Sequence, residues 1–418
     1  MTLSRRQFFT LAGASTAGAL LLSPLQAFYA KRAIAAGPYG ALVPDPLGVL
    51  DLPAGFSYRR LSETNQTMND GYRVPGGHDG MGAFPGANGS TILVRNHELN
   101  PSSSTSVGAP NSKKYDTQGK GGTTTVIVSS SRTLISHYGS LAGTYRNCAG
   151  GTTPWGSWLS CEESFEVGNK KHGYVFEVHS SSTGFVTPTP LIAMGRFNHE
   201  AAAVDPNTGY VYMTEDRGDG LFYRFIPNVQ GNLSQGGVLQ ALRIIGMSGV
   251  NTTTGFPKNQ PKAVDWVTIN TPDPANDTVR VEGYNKGAAR FARGEGIVYG
   301  NGQIYFTCTS GGSSGDGQVW RYVPANQTIE LYIEPNNSGT LDNPDNMIIS
   351  PNGEIFLCED GDGTDFIVGI TPSGALYKFA RNALNTSEFC GVCFSADGQT
   401  MFVNMQSPGI TFAIWGPW

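Results

Sequence analysis

Val204-Asp-Pro-Asn-Thr-Gly209-Tyr-Val-Tyr-Met-Thr-Glu215 decides the fold. An apolar run enters, a turn ending in Gly209 reverses the chain, and a second apolar run leaves. The plan returns as Ile297-Val-Tyr-Gly-Asn-Gly302-Gln-Ile-Tyr-Phe-Thr-Cys308, as Ile348-Ile-Ser-Pro-Asn-Gly353-Glu-Ile-Phe-Leu-Cys-Glu359 and as Cys393-Phe-Ser-Ala-Asp-Gly398-Gln-Thr-Met-Phe-Val-Asn404. Weaker copies are Asn88-Gly89 before Ser-Thr-Ile-Leu-Val-Arg95, and Trp155-Gly156 before Ser-Trp-Leu-Ser-Cys161-Glu162. Asn-Gly and Asp-Gly supply the positive φ that tight hairpins need. Each copy therefore reads as a β-hairpin. Sequential hairpin-based sheets set radially make a β-propeller, and the repetition predicts six blades; a β-sandwich does not account for it. The 55 glycines, 25 prolines and only 15% charged residues favour many short strands and turns. The expected fold is all-β, a six-bladed β-propeller with loop and short helical insertions, formed as one domain by residues 36–418.

A hairpin begins and ends at the same edge of its sheet. The exits, six residues after each glycine, are Arg95, Glu162, Glu215, Cys308, Glu359 and Asn404. The entries include Glu200, Glu295 and Asn346, with Asp79 and Asp345 close by. Acidic and amide groups thus collect at one mouth of the expected central channel. Crowded carboxylates repel one another and are neutralised by protons or cations. Their oxygens suit calcium, whereas Cys161 beside Glu162 and Glu163 suits a transition metal. Arg293, two residues before Glu295, has the planar fork that matches phosphate oxygens. His97 and His199, each in an Asn-His-Glu triplet, read equally as ligands, as supporting partners or as core. The Asp360-Gly-Asp362-Gly-Thr-Asp365 run lacks the closing Glu of a calcium loop, with Thr371 in its place, and reads as a loop. Metalloprotease, P-loop and nucleophile-elbow motifs are missing.

The N-terminus reads as an address. Ser4-Arg5-Arg6-Gln7-Phe8-Phe9 carries paired arginines, Leu11 to Leu25 is moderately apolar, and Ala33-Ile34-Ala35 offers a cleavage site. This predicts a signal peptide over residues 1–35, read by the twin-arginine (Tat) translocase during export. The product would be periplasmic or secreted, with no stable membrane span. A net charge of −5 without a basic patch argues against nucleic acid as a partner. Six cysteines are too few for a disulfide-built scaffold, and the Cys390/Cys393 pair inside an apolar run reads as packed thiols.

An ordered set of motifs resembles the PhoX-type alkaline phosphatases. It includes His78-Asp-Gly-Met81, Val94-Arg-Asn-His-Glu98, Thr153-Pro-Trp-Gly-Ser-Trp-Leu-Ser-Cys-Glu-Glu163, Arg196-Phe-Asn-His-Glu200, Thr214-Glu-Asp216, Phe291-Ala-Arg-Gly-Glu-Gly296, Asp342-Asn-Pro-Asp-Asn346 and Leu357-Cys-Glu-Asp360. The resemblance implies an exported six-bladed propeller that hydrolyses phosphomonoesters with iron and calcium. It implies Cys161 as a ligand to iron, Glu200 and Glu295 as metal ligands, and Arg293 as the arginine that contacts phosphate. Glu162, Glu215, Asp345 and Glu359 complete the expected metal set. Small phosphomonoesters are the expected partners and a monomer the expected state. Ser407 stands where the family often has His. The rival readings are a calcium-dependent lactonase of the propeller type and a non-catalytic calcium-binding propeller.

Overall fold

The computed structural model describes residues 37–418; the expected signal peptide lies outside them. The chain is all-β, in a propeller-like arrangement of antiparallel sheets. The hairpins pair His78–Pro85 with Thr91–His97, Asn147–Thr152 with Ser157–Glu162, and His199–Val204 with Val211–Glu215. They also pair Gly294–Gly300 with Gln303–Cys308, Pro344–Ile349 with Ile355–Glu359, and Phe389–Phe394 with Met401–Met405. Asn301-Gly302 takes positive φ at both residues, as a two-residue hairpin turn requires, and Asn88-Gly89 does so within the longer turn Ala87–Gly89.

The first strand of each hairpin is the innermost. Each lies beside the first strand of the next hairpin, and Phe389–Phe394 returns to lie beside His78–Pro85. Inner strands such as His199–Val204 are buried on both faces. Their sequences are therefore continuously apolar or small rather than alternating. The spacing is tight. A Cβ on Gly80 would meet Ala149 Cα at 2.5 Å, and one on Gly296 would meet the Asp345 carbonyl oxygen at 2.5 Å.

The outer strands divide less regularly than a simple repeat predicts. Lys262–Thr268 pairs with Thr328–Ile333 and runs two neighbouring sets into one nine-stranded sheet. Leu42–Val43 and Leu50–Pro53 widen another sheet to six strands. The Asn147–Thr152 sheet has three. One closure is plain: the early strand Ser57–Glu63 pairs with the C-terminal strand Ile410–Trp415. This tie removes an open edge and joins an early strand to the last one. A short helix, Val279–Asn285, and several 3-10 turns sit in the connections. Among the described residues, no helix is long and apolar enough to cross a membrane.

Candidate active site

Every hairpin carries the same irregularity. The register breaks between His78 and Met81, Asn147 and Gly150, His199 and Ala202, Gly294 and Ile297, Pro344 and Met347, and Cys390 and Cys393. In each, two inner-strand residues stand opposite one residue of the second strand. That is a β-bulge, which re-aims side chains and raises the local twist. The first bulged residues are Asp79, Cys148, Glu200, Glu295, Asp345 and Gly391. The second are Gly80, Ala149, Ala201, Gly296, Asn346 and Val392, and these line an open cavity of about 560 Å³ between the inner strands.

The first bulged residues form the core of the site. Donor atoms of Cys148, Glu163 and Glu200 lie within 4.8 Å of one another, as do those of Glu200, Glu295 and Asp345. Glu200 belongs to both triads. Both of its carboxylate oxygens are buried and without a hydrogen-bond partner. Asp79 stands beside the first triad, 3.7 Å from the Cys148 sulfur. Asn346 donates to Asp345 at 3.0 Å.

A second ring follows from the residue immediately after each second strand: Glu98, Glu163, Asp216, Thr309, Asp360 and Gln406. Gln406 donates to Glu98 at 2.9 Å. Asp216 receives Arg293 through two contacts, 2.8 Å to Nε and 3.2 Å to Nη2, and Arg293 also reaches Glu295 at 3.0 Å. Arg293 itself sits at φ +51°. Its backbone is held there because its N–H donates to Arg217 and its carbonyl accepts from Thr309.

The structure places four of the expected ligands apart from this cluster. Cys161 is fully buried in an apolar cluster with Leu159, Val175, Phe197 and Met213. It stands opposite the Cys148 bulge, and the thiol that joins the carboxylates is Cys148. Burial alone pushes the Cys161 thiol far up, with no charged group acting on it. Glu162, Glu215 and Glu359 likewise end second strands but turn into the sheets, where they anchor loops. Glu162 accepts from the Tyr145, Gly173 and Tyr174 backbone and pairs with His172 at 2.6 Å. Glu215 accepts from Leu221 N–H and the Tyr223 hydroxyl. Glu359 accepts from Asp342 and Phe366 N–H and from Lys378. The reason is the two-residue period of a strand: neighbours face opposite ways. Glu163, Asp216 and Asp360, one residue on, are the ones that reach the site.

Glu200, Glu295, Asp345 and Arg293 are brought together as expected. Cys148, Glu163, Asp216 and Glu98 were missed. The signal for Cys148 was present, because it precedes Gly156 by eight residues, the offset of Asp345 before Gly353. His97 and His199 are buried against backbone carbonyls, with Gly76 and Gly195 as partners. Ser407 is exposed, and its N–H donates to the Ser387 hydroxyl.

The electrostatics follow from burial that Arg146 and Arg293 offset only in part. Burial, then Glu295 and Asp345, push Glu200 well above the carboxylate range. Burial pushes Asp345 up to about 7. Glu163 reaches about 8, with Arg146 acting against its burial. Burial, then Asp79 and Glu200, push the Cys148 thiol up. Asp345 and Glu163 hold protons to higher pH folded than unfolded. The stability they contribute is therefore complete below the ordinary carboxylate range and is lost as pH rises through about 7 to 8. Metal-stripped protein should show a falling Tm across that window, and added calcium should abolish the fall. A Tm indifferent to both would contradict this account of the cluster.

Six converging strands, a buried acidic core with one thiol and a rim arginine make a site able to hold cations and to meet an anion. Comparison identifies it further. The alkaline phosphatase PhoX family matches residues 37–137 and 130–409, and the chain belongs to that family. Its function is that of a phosphatase. A solved structure of PhoX from Pseudomonas fluorescens, in complex with vanadate, a transition state analogue, is 19% identical, with a TM-score of 0.69 over 88% of this chain and 96% of that one. A gluconolactonase from Xanthomonas campestris is 12% identical, with a TM-score of 0.43 over 91% of this chain and 98% of the other. No curated protein sequence matches.

Proposed function

We propose that the protein is an exported, metal-dependent phosphomonoesterase of six blades, working with iron and calcium in the periplasm or outside the cell. The observation that carries the reading is the pair of unpartnered, buried oxygens of Glu200 at the junction of two triads. A buried carboxylate without a partner is costly unless it is neutralised. The donors fit the expected metals: carboxylate oxygens suit calcium, and the Cys148 thiol adds the softer donor a transition metal prefers. Cys148, Glu163, Glu200, Glu295 and Asp345 would hold the ions, with Asp79 adjoining. When bound, such ions supply Lewis-acid polarisation and a lowered pKa for bound water. Six bulged inner strands around a single cavity support the blade count. The paired arginines of the N-terminal address support export by the Tat translocase.

The residues themselves do the positioning. Asp216 and Glu295 hold the Arg293 fork at the rim, while its Nη1 makes no hydrogen bond among the described residues. That group is placed to take a phosphoryl oxygen and to stabilise charge that develops there. Hydrolysis of p-nitrophenyl phosphate by the mature protein, with and without calcium and beside elemental analysis for iron, tests the reading. Calcium-dependent release with tightly held iron is expected. Fully metal-loaded protein that releases nothing would refute it. Arg293→Ala should lower kcat/KM by about 10²-fold with metal content unchanged. Retention of full activity would remove Arg293 from the site.

A further inference from the structure

Arg293 has a counterpart. Arg146 lies two residues before Cys148, as Arg293 lies two before Glu295. Both have left-handed backbones, at φ +45° and +51°. In both, the carbonyl accepts from the residue that follows the second strand of its own hairpin, Glu163 for Arg146 and Thr309 for Arg293. Each fork is tethered by two acids. Arg146 donates to Glu98 from Nε at 3.0 Å and from Nη2 at 2.7 Å, and to Glu163 from Nη2 at 2.6 Å. In each, Nη1 has no partner among the described residues, and each side chain is 40% exposed. Each also binds one acid of a triad: Arg146 holds Glu163 of the first, and Arg293 holds Glu295 of the second.

We infer that Arg146 is a second anion-binding residue, gripping a phosphoryl oxygen over the Cys148–Glu163–Glu200 triad while Arg293 grips one over Glu200–Glu295–Asp345. The inference rests on the phosphatase reading and adds a residue to it. The left-handed backbone matters because it costs a non-glycine residue energy. Here it turns a long cation toward the rim. The two acids then fix the fork, so little freedom is lost when an anion arrives.

The test uses metal-loaded protein and inorganic phosphate as the probe. Binding is measured by calorimetry, KM with p-nitrophenyl phosphate, and metal content by elemental analysis. Arg146→Ala should weaken phosphate binding and raise KM about ten-fold, the scale of one charge-assisted hydrogen bond. Arg146→Lys keeps the charge beside Glu163 but loses the fork. It should retain the metals and still bind phosphate several-fold more weakly than the parent. Parent-like phosphate affinity in Arg146→Lys and Arg146→Ala overturns the inference. So does metal loss in both variants, which would make Arg146 a positioning residue for Glu163. A parent protein that neither binds phosphate nor releases it would instead strike down the phosphatase reading itself, and Arg146's role with it.

Discussion

Glu200→Gln should abolish turnover and, at the same time, stabilise the metal-free protein. Glutamine keeps the volume of the side chain, removes its charge and replaces one acceptor oxygen with an NH2 donor. Glu200 is the one residue common to both triads, and both its oxygens lack partners. Loss of that charge weakens cation binding on both sides, so metal content should fall and kcat/KM should drop by at least ~10³-fold, the upper range for losing one electrostatic contributor. In the metal-free chain the sign reverses. Burial and the neighbouring acids oppose ionisation of Glu200, and the amide has no charge to desolvate. Its Tm above neutral pH should rise by about 2 °C or more. Parallel assays of phosphate release, bound metal and thermal unfolding decide it. If the variant keeps its metals and turns over like the parent, the two triads are not the site.

The second large effect separates two cysteines. Cys148→Ser should lose transition metal and turnover, by about 10²-fold or more, because an oxygen replaces the soft donor among the carboxylates. Cys161→Ala should leave turnover per folded molecule unchanged. Its cost is a small cavity in the cluster with Leu159 and Phe197, about 1 kcal/mol of stability. The opposite pattern, with Cys161 controlling metal and Cys148 controlling only stability, would reverse the assignment made from the structure. The two residues differ by thirteen positions in sequence yet face each other across one bulge, so the comparison is made at a single place in the fold.

Glu163 and Glu162 show how much of the site could be read in advance. That acids crowd one end of the hairpins follows from counting residues before and after Gly156, Gly209, Gly302 and Gly353. The count identifies an edge, but not which of two adjacent acids faces inward. Glu162 anchors the Tyr145 and Gly173 backbone, while Glu163 joins Cys148 and Glu200. The same one-residue displacement separates Glu215 from Asp216 and Glu359 from Asp360. On the entry side, Glu200 and Glu295 were identified correctly as lying together, and Cys148 was overlooked because an isolated thiol carries no pattern of its own. Arg146 was overlooked for a similar reason. A single cation before a cysteine signals nothing until Arg293 is seen at the equivalent position.

The sequence by itself determined that this chain is built from repeated hairpins, because Asn-Gly and Asp-Gly turns and apolar runs are local properties. It also determined which edge would be acidic, and its ordered motifs pointed to the phosphatase family. Only the tertiary structure decided which side chains meet. A strand's two-residue alternation can be counted along the chain, but each inner strand inserts one extra residue and resets that count. The reset places Asp79, Cys148, Glu200, Glu295 and Asp345 at the mouth, while the unbroken alternation of the second strands turns Glu162, Glu215 and Glu359 away from it. Whether the bulge forms depends on the close approach of six inner strands around the cavity, which involves residues far apart in the chain.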